Sequence, residues 1–252
     1  MTFSELKLHA DKAFEHRSNV NATMFCYNDR MTTPTFQRAR SHEAKQLRVS
    51  EILETARVLG TERGVGNVSL TDIAEAVGMH KSALLRYFET REQIFLILTA
   101  SAWQEWAEDV IKRLKRSKEA SPASVAAALA RSLGARPFFC DLVAHAALSL
   151  ERHVSLDAVR TFKFAALDAA YAIAAELQDR ASLTQRQAID AISTATCMAG
   201  ALWQMATPAP EVLSLYESDP RLRHVVADIT PRLARILENL LTGFAVANDS
   251  AR

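Results

Sequence analysis

The stretch that most constrains the fold is SLTDIAEAVGMHKSALLRYF, Ser69 to Phe88. Ser69 followed three residues later by Asp72 is a capping box, in which each residue satisfies a free N–H group at the start of a helix. Ile73, Ala74 and Val77 then share one helical face, and Gly78 supplies the backbone freedom for a sharp turn. A second short helix is expected from Lys81 to Phe88, with Leu84 and Phe88 turned inward at i and i+4. Lys81, Ser82, Arg86 and Tyr87, around the small Ala83, are left on the free face. That mixture suits phosphate oxygens and base edges, although a plain solvated helix face has the same composition.

The flanking sequence is helical too. From Lys45 to Arg63 the apolar Val49, Ile52, Leu53, Ala56 and Leu59 fall on one face, predicting a buttressing helix closed by Gly64 and Gly66. The GVG there is too short and wrongly placed for a nucleotide-binding turn. Thr90 and Gln93 read as a second capping box, opening a helix that runs through Ile94, Phe95, Leu98, Trp103 and Val110 to the basic end KRLKRSK. Those cations suit a helix C-terminus in any case. Beyond Ser121 and Pro122, helical segments are expected over Ala123 to Leu133, Pro137 to Glu151, Ser155 to Asp179 and Thr184 to Met205. TPAPEV and ESDP read as loop, Arg221 to Ile229 as a short helix, and Pro231 to Ala245 as a strongly apolar last helix through Leu233, Leu237, Leu241 and Phe244. No strand pattern interrupts the chain and only seven of its residues are Gly, so the expected fold class is all-α.

A chain of 252 residues is long enough to bury a second core beside one small module. The expected division is an extension over 1–44 that is poorly ordered, a helix-turn-helix domain over 45–95 (motif 69–88), and a helical body over 96–252. Three readings of the extension stand, the plainest being a solvated tail. Met24 and Met31 lie inside it, which fits a misassigned start codon, whereas Arg30, Arg38, Arg40 and Lys45 fit a basic arm reaching DNA phosphates. With a formal net charge of +1, any nucleic-acid face has to be local. Cys26, Cys140 and Cys197 suggest neither a disulfide framework nor a zinc site. HExxH, paired Glu-x-x-His, GxSxG and Cys-x-x-Cys are all missing, and Asp141, His145, Glu151 and His153 do not have the spacing of a facial metal site, so neither an enzyme, a metal nor a cofactor is expected. The sequence has no apolar run of membrane-spanning length and no basic-then-apolar leader, and the cytoplasm is the expected compartment.

Over Ile52 to Phe95 the sequence resembles the N-terminal domain of the tetracycline-repressor (TetR) family of transcriptional regulators. The matching elements are ILETA in the first helix, ERG at its end, DIAEAVG in the second helix, and ALLRYFETREQIF from the third into the fourth. The resemblance implies a three-helix DNA-binding head, a helical body that dimerises and binds a small molecule, and ligand-controlled release from DNA. Carried over by position, it places His80, Lys81, Ser82 and Ala83 against base edges, and Ser69, Thr71, Arg86, Tyr87 and Arg91 against the phosphate backbone. Two positions depart from the family pattern: Leu85 stands where a phosphate-contacting tyrosine is common, and Gly60 where a buried phenylalanine is common. Gly60 leaves space that another side chain has to fill.

The resemblance also implies a homodimer through 184–205 and 231–245, packed as a four-helix bundle. Dimerisation has an independent motive, since two recognition helices related by a twofold axis read both halves of a palindrome. Candidates to line an apolar effector pocket with a few polar groups are Phe138, Cys140, His145, Phe164, Tyr171, Cys197 and Trp203. The competing readings are a helical-bundle ligand carrier and an interaction protein without specific DNA binding. Salt-dependent binding to random duplex DNA separates these from a repressor.

Overall fold

The computed structural model describes residues 35–222 and 228–250, with side chains from residue 43 onward, and these residues form helices and turns without a strand. Residues 46–252 make one compact unit, and all packing described below lies within it. The helices are α1 (Thr35–Arg63), α2 (Leu70–Ala76), α3 (Lys81–Leu84), α4 (Arg91–Arg116), α5 (Pro122–Gly134), α6 (Pro137–Ala146), α7 (Leu156–Ala181), α8 (Gln185–Ala206), α9 (Pro210–Ser218) and α10 (Ile229–Ser250). Short 3-10 turns cover Val65–Asn67 and Leu150–Arg152. Among the described residues no helix is long and apolar enough to cross a membrane.

Start signals hold at most of the helices. Ser69, Ser121, Ser155 and Thr184 each accept a hydrogen bond from the N–H three residues on, and at Ser69 and Thr184 the box is reciprocal. The expected box at Thr90 is half made. Thr90 accepts from the Gln93 N–H at 3.1 Å, but the Gln93 side chain accepts from the Glu89 N–H at 2.6 Å instead of returning to Thr90.

Several boundaries differ from expectation. α1 begins at Thr35 rather than Lys45, so residues 35–44 are helical rather than loose; Gln37, Arg38, Ala39, Arg40 and Ala44 are good helix formers that need no apolar face to propagate a helix. Residues 1–34, on which the rest of the extension rests, and the side chains of Arg38 and Arg40 lie outside the described residues. α6 stops at Ala146 instead of Glu151. A helix, α9, occupies Pro210–Ser218, where a loop was expected, because Pro210 sits at a first-turn position, where its fixed φ starts a helix rather than breaking one. Of the short helix expected over Arg221 to Ile229, residues 223–227 lie outside the described residues and Ile229 already belongs to α10.

Two cores organise the unit. In the first, Ile52 and Ala56 of α1, Ile73 and Ala74 of α2, Leu84, Phe88, and Ile94 and Phe95 of α4 pack together and continue into Leu142, Ala146, Leu150 and Phe162 of the body. In the second, α5 packs on α10, α6 on α8, and α4 on α7, around Trp106, Leu129, Leu133, Ile173, Ala195 and Leu237. Trp103, Trp106 and Phe139 form its aromatic centre, with ring centroids 5.4 to 5.7 Å apart. The space expected beside Gly60 is filled from both sides: a Cβ there would lie 2.8 Å from the ring of Phe138 and 3.0 Å from that of Phe95.

Candidate nucleic-acid interface and junction cleft

The turn between α2 and α3 follows from one residue. Gly78 has φ +65°, a left-handed conformation, and it passes the chain from the C-terminus of α2 to His80 at the N-terminus of α3. Only Lys81–Leu84 is regular α-helix; Arg86 and Tyr87 donate to the carbonyls three residues back, so the segment tightens before Phe88 returns to the core. Leu84 and Phe88 are buried, as their spacing predicts.

The outer face brings His80, Lys81, Ser82 and Arg86 together as exposed residues, with Ala83 and Tyr87 half-buried beside them. Neither Lys81 nor Arg86 has a carboxylate partner among the described residues. His80 has a role the sequence reading missed: it is the N-cap of α3, its Nδ1 accepting from the Ser82 N–H and lying 2.8 Å from the Ser82 hydroxyl. The preference of caps for Ser, Thr, Asp and Asn hid this. Ser69 is exposed, yet its hydroxyl donates to Asp72 at 2.5 Å, so the group expected on a phosphate is already used by the cap. The Ser69 hydroxyl and N–H hold the Asp72 carboxyl below its usual range. Thr71 is exposed on the same helix.

Arg91 is corrected most. Its Nε donates to the Val68 carbonyl and its Nη2 to the Val65 carbonyl, its Nη1 lies 3.1 Å from Glu92, and the guanidinium stands 4.8 Å from the Phe95 ring centroid. The side chain is 16% exposed. Rather than facing a phosphate, it clamps the turn before α2 onto α4. Leu85 is 46% exposed and sits beside Arg86.

Of the seven pocket candidates, the structure brings three together. Phe138, His145 and Trp203 line a cleft of about 620 Å³ between the end of α1 with its following turn on one side, and α6, α8 and the start of α9 on the other. Cys140 is fully buried, its thiol donating to the Leu133 carbonyl at 3.4 Å, and burial pushes its pKa up to about 12. Phe164 and Tyr171 are 58% and 49% exposed on α7, each two residues from a buried one, Phe162 and Ile173. Two residues are about 200° apart around a helix of 3.6 residues per turn, so these aromatics face away from the body. Cys197 is exposed on α8.

In the floor of the cleft sits Asp141, 7% exposed. One carboxylate oxygen accepts from the Val65 N–H at 2.6 Å; the other accepts from the Gln204 side chain at 2.6 Å and lies 3.4 Å from His145 Nε2. Burial raises the pKa of this carboxyl, but the hydrogen bonds from His145, Val65 and Gln204 outweigh it and hold the group below its usual range. One side chain thereby ties the turn before α2 to α6 and α8. A second tie lies across the unit, where the Ser155 N–H donates to Glu89 at 3.2 Å beside another cleft of about 580 Å³ between α4 and α7.

Two family models match the chain: "Bacterial regulatory proteins, tetR family" over residues 52–98, and "Tetracyclin repressor-like, C-terminal domain" over residues 100–248. Among solved structures, the chain is similar to a protein described as a possible TetR family transcriptional regulator from Streptomyces coelicolor, with a TM-score of 0.52 and 17% identity over 79% of this chain and 99% of that one. It is also similar to the fatty acid degradation regulator FadR from Bacillus halodurans, with a TM-score of 0.51 and 12% identity over 77% and 97% of the respective chains. At these identities the likeness is one of fold. No curated protein matches the chain.

Proposed function

The chain belongs to the TetR family of DNA-binding transcriptional regulators, and we propose that it is a repressor that binds a palindromic operator as a homodimer and is released by a small molecule. The observation that carries the reading is the exposed face after Gly78, where Lys81, at the start of a short helix, and Arg86, just past its end, have no counter-ion among the described residues. Lys81, with His80, Ser82 and Ala83, is assigned to base edges, and Arg86, Tyr87 and Thr71 to phosphates. Arg91 supports this face from behind, through its hold on Val65 and Val68.

The proposed dimer face is formed by α8 and α10, the helices that cover 184–205 and 231–245. Its support is a set of small and apolar side chains exposed on both helices: Ser193, Cys197, Ala201 and Met205 on α8, with Gly243, Val246 and Ala247 on α10. No catalytic step belongs to this reading. Residues 45–95 act as head and 96–252 as body, and the effector acts by favouring a body conformation in which the two heads are wrongly spaced.

Selection of bound sequences from a random duplex pool tests the proposal. Enrichment of a palindrome is expected. Lys81→Ala should relax preference at one position per half-site, about 1–3 kcal/mol of discrimination, while Arg86→Ala should weaken all sequences alike and lower the salt slope by about 1. Absence of binding even at low salt would turn the reading toward an interaction protein.

A further inference from the structure

The junction cleft differs from an ordinary surface hollow in that its floor is a buried carboxylate and its walls come from separate stretches of the chain, the end of α1 with its turn, α6, and α8 with the start of α9. Phe138 on α6 and Trp203 on α8 provide two aromatic side chains; the end of α1 and the following turn provide the facing wall, including Glu62 and Arg63. At about 620 Å³ it is of the size that holds a compact organic molecule. Resting on the reading of the chain as a ligand-released regulator, we propose that this cleft is the effector site, that its ligand is a flat aromatic cation, and that Asp141 is the residue through which the head reads the ligand.

The sign of the charge follows from the lining. Glu62 and Asp141 contribute two carboxylates, whereas Arg63, the only arginine of the cleft among the described residues, already has Asp72 at 3.5 Å as a counter-ion outside it. His145 is engaged with Asp141. An organic carboxylate entering here meets like charge over a buried acid, and an ammonium or amidinium meets the opposite sign together with the faces of Phe138 and Trp203, which attract cations. The ligand class is thus set by charge, and its flat apolar part by the aromatic walls.

The coupling follows from the hydrogen bonds. A carboxylate offers about four lone-pair positions, and three donors already converge on Asp141 from the head turn, from α8 and from its own helix. A cation in the cleft competes with the Val65 N–H and the Gln204 amide for the same two oxygens. Val65 lies in the turn immediately before α2, so loosening its bond removes a tie between the head and α6, while loosening Gln204 removes the tie between α6 and the proposed dimer helix. Binding and head position are coupled through one side chain.

Three probes with one ring system decide the class: naphthylmethylamine, naphthalenemethanol and naphthoate, each titrated calorimetrically into the full chain. The amine is expected to bind at least ten-fold more tightly than the naphthoate, with the alcohol between them. Trp203→Leu and the exposed Glu62→Gln should each weaken the amine several-fold, the second without risk to folding. Hydrogen exchange at the Val65 amide should speed up several-fold when the amine saturates the chain. Naphthoate binding as tightly as the amine, indifference to both substitutions, or silence of all three probes at millimolar concentration overturns the site and its class. Amine binding with unchanged exchange at Val65 overturns the role of Asp141. Duplex binding by the ligand-free chain is measured alongside: if DNA binds and the probes are silent, this inference fails alone, whereas loss of DNA binding at low salt strikes the proposed function and leaves the calorimetry to decide the cleft.

Discussion

Asp141 concentrates in one side chain what the rest of the junction does diffusely. Asp141→Asn keeps the shape but replaces one acceptor oxygen by a donor, so that Val65, Gln204 and His145 can no longer all be satisfied in their present orientations. A cost of about 1–3 kcal/mol is expected at neutral pH for the buried donor left unpaired, read as a fall in Tm of about 2–4 °C per kcal/mol for a chain of this size. Because the folded carboxyl titrates below its unfolded value, its contribution is complete above the unfolded pKa and is lost as pH falls through the folded one. The gap in stability between the parent chain and Asp141→Asn should therefore close on acidification below the usual carboxylate range, and a gap that persists there would show that charge is not its source. Gly60 makes the opposite case, in which adding atoms is harmful. Gly60→Ala gains about 1 kcal/mol of helix propensity, but its Cβ would meet the Phe138 ring at 2.8 Å, and overpacking costs about 1–3 kcal/mol. Chemical denaturation should find the variant less stable, and Phe138→Leu in the same chain should recover part of the loss, a non-additivity that separate sites would not show.

The elements show which signals a single sequence carries and which it does not. Ser69 with Asp72, Gly78, and the pair Leu84 and Phe88 fix the helix-turn-helix by local rules, and all of them stand where their spacing puts them. Gly78→Ala tests the strictest of these. Its φ of +65° costs an L-residue about 1–2 kcal/mol, and no neighbour lies within 4 Å of an added Cβ, so the loss measured by denaturation should be purely conformational, with the Gly78→Asn variant falling between the two. Where partners are distant in sequence the rules fail. Arg91 is a cation at a helix start, but carbonyl and phosphate oxygens are both acceptors, and only the fold reveals that the Val65 and Val68 carbonyls are its partners. The pocket candidates divide for the same reason: Phe138 and Phe164 look alike by composition, and only the packing of α4 on α7 shows that one lines the cleft while the other faces outward. His80 caps α3, a duty the sequence does not announce because a histidine cap is rare enough for the usual rule to pass over it.

At the scale of the whole molecule, the surface left by α8 and α10 makes a prediction that does not depend on knowing the operator. Cys197 is exposed in the single chain and Gly243 has no atom within 4 Å of an added Cβ, so both lie open on the face proposed for the dimer. Cys140 is a built-in control: its thiol is buried with its pKa pushed up to about 12, so it stays unreactive whether or not the chain dimerises. Alkylation mapped residue by residue should therefore be slow at Cys197 when the protein is micromolar and should accelerate several-fold on dilution into the monomer range. Gly243→Arg places a charged side chain on the proposed face without touching the monomer's own core, and it should sediment as a monomer with unchanged helical content. In that variant Cys197 should alkylate quickly at every concentration, and operator affinity should fall by far more than the loss of any one contact, since a single short α3 reads only half a palindrome. Fast alkylation of Cys197 in a parent chain that nonetheless sediments as a dimer would move the interface elsewhere, and the exposed Phe164, Leu167 and Tyr171 on α7 would be the next face to test.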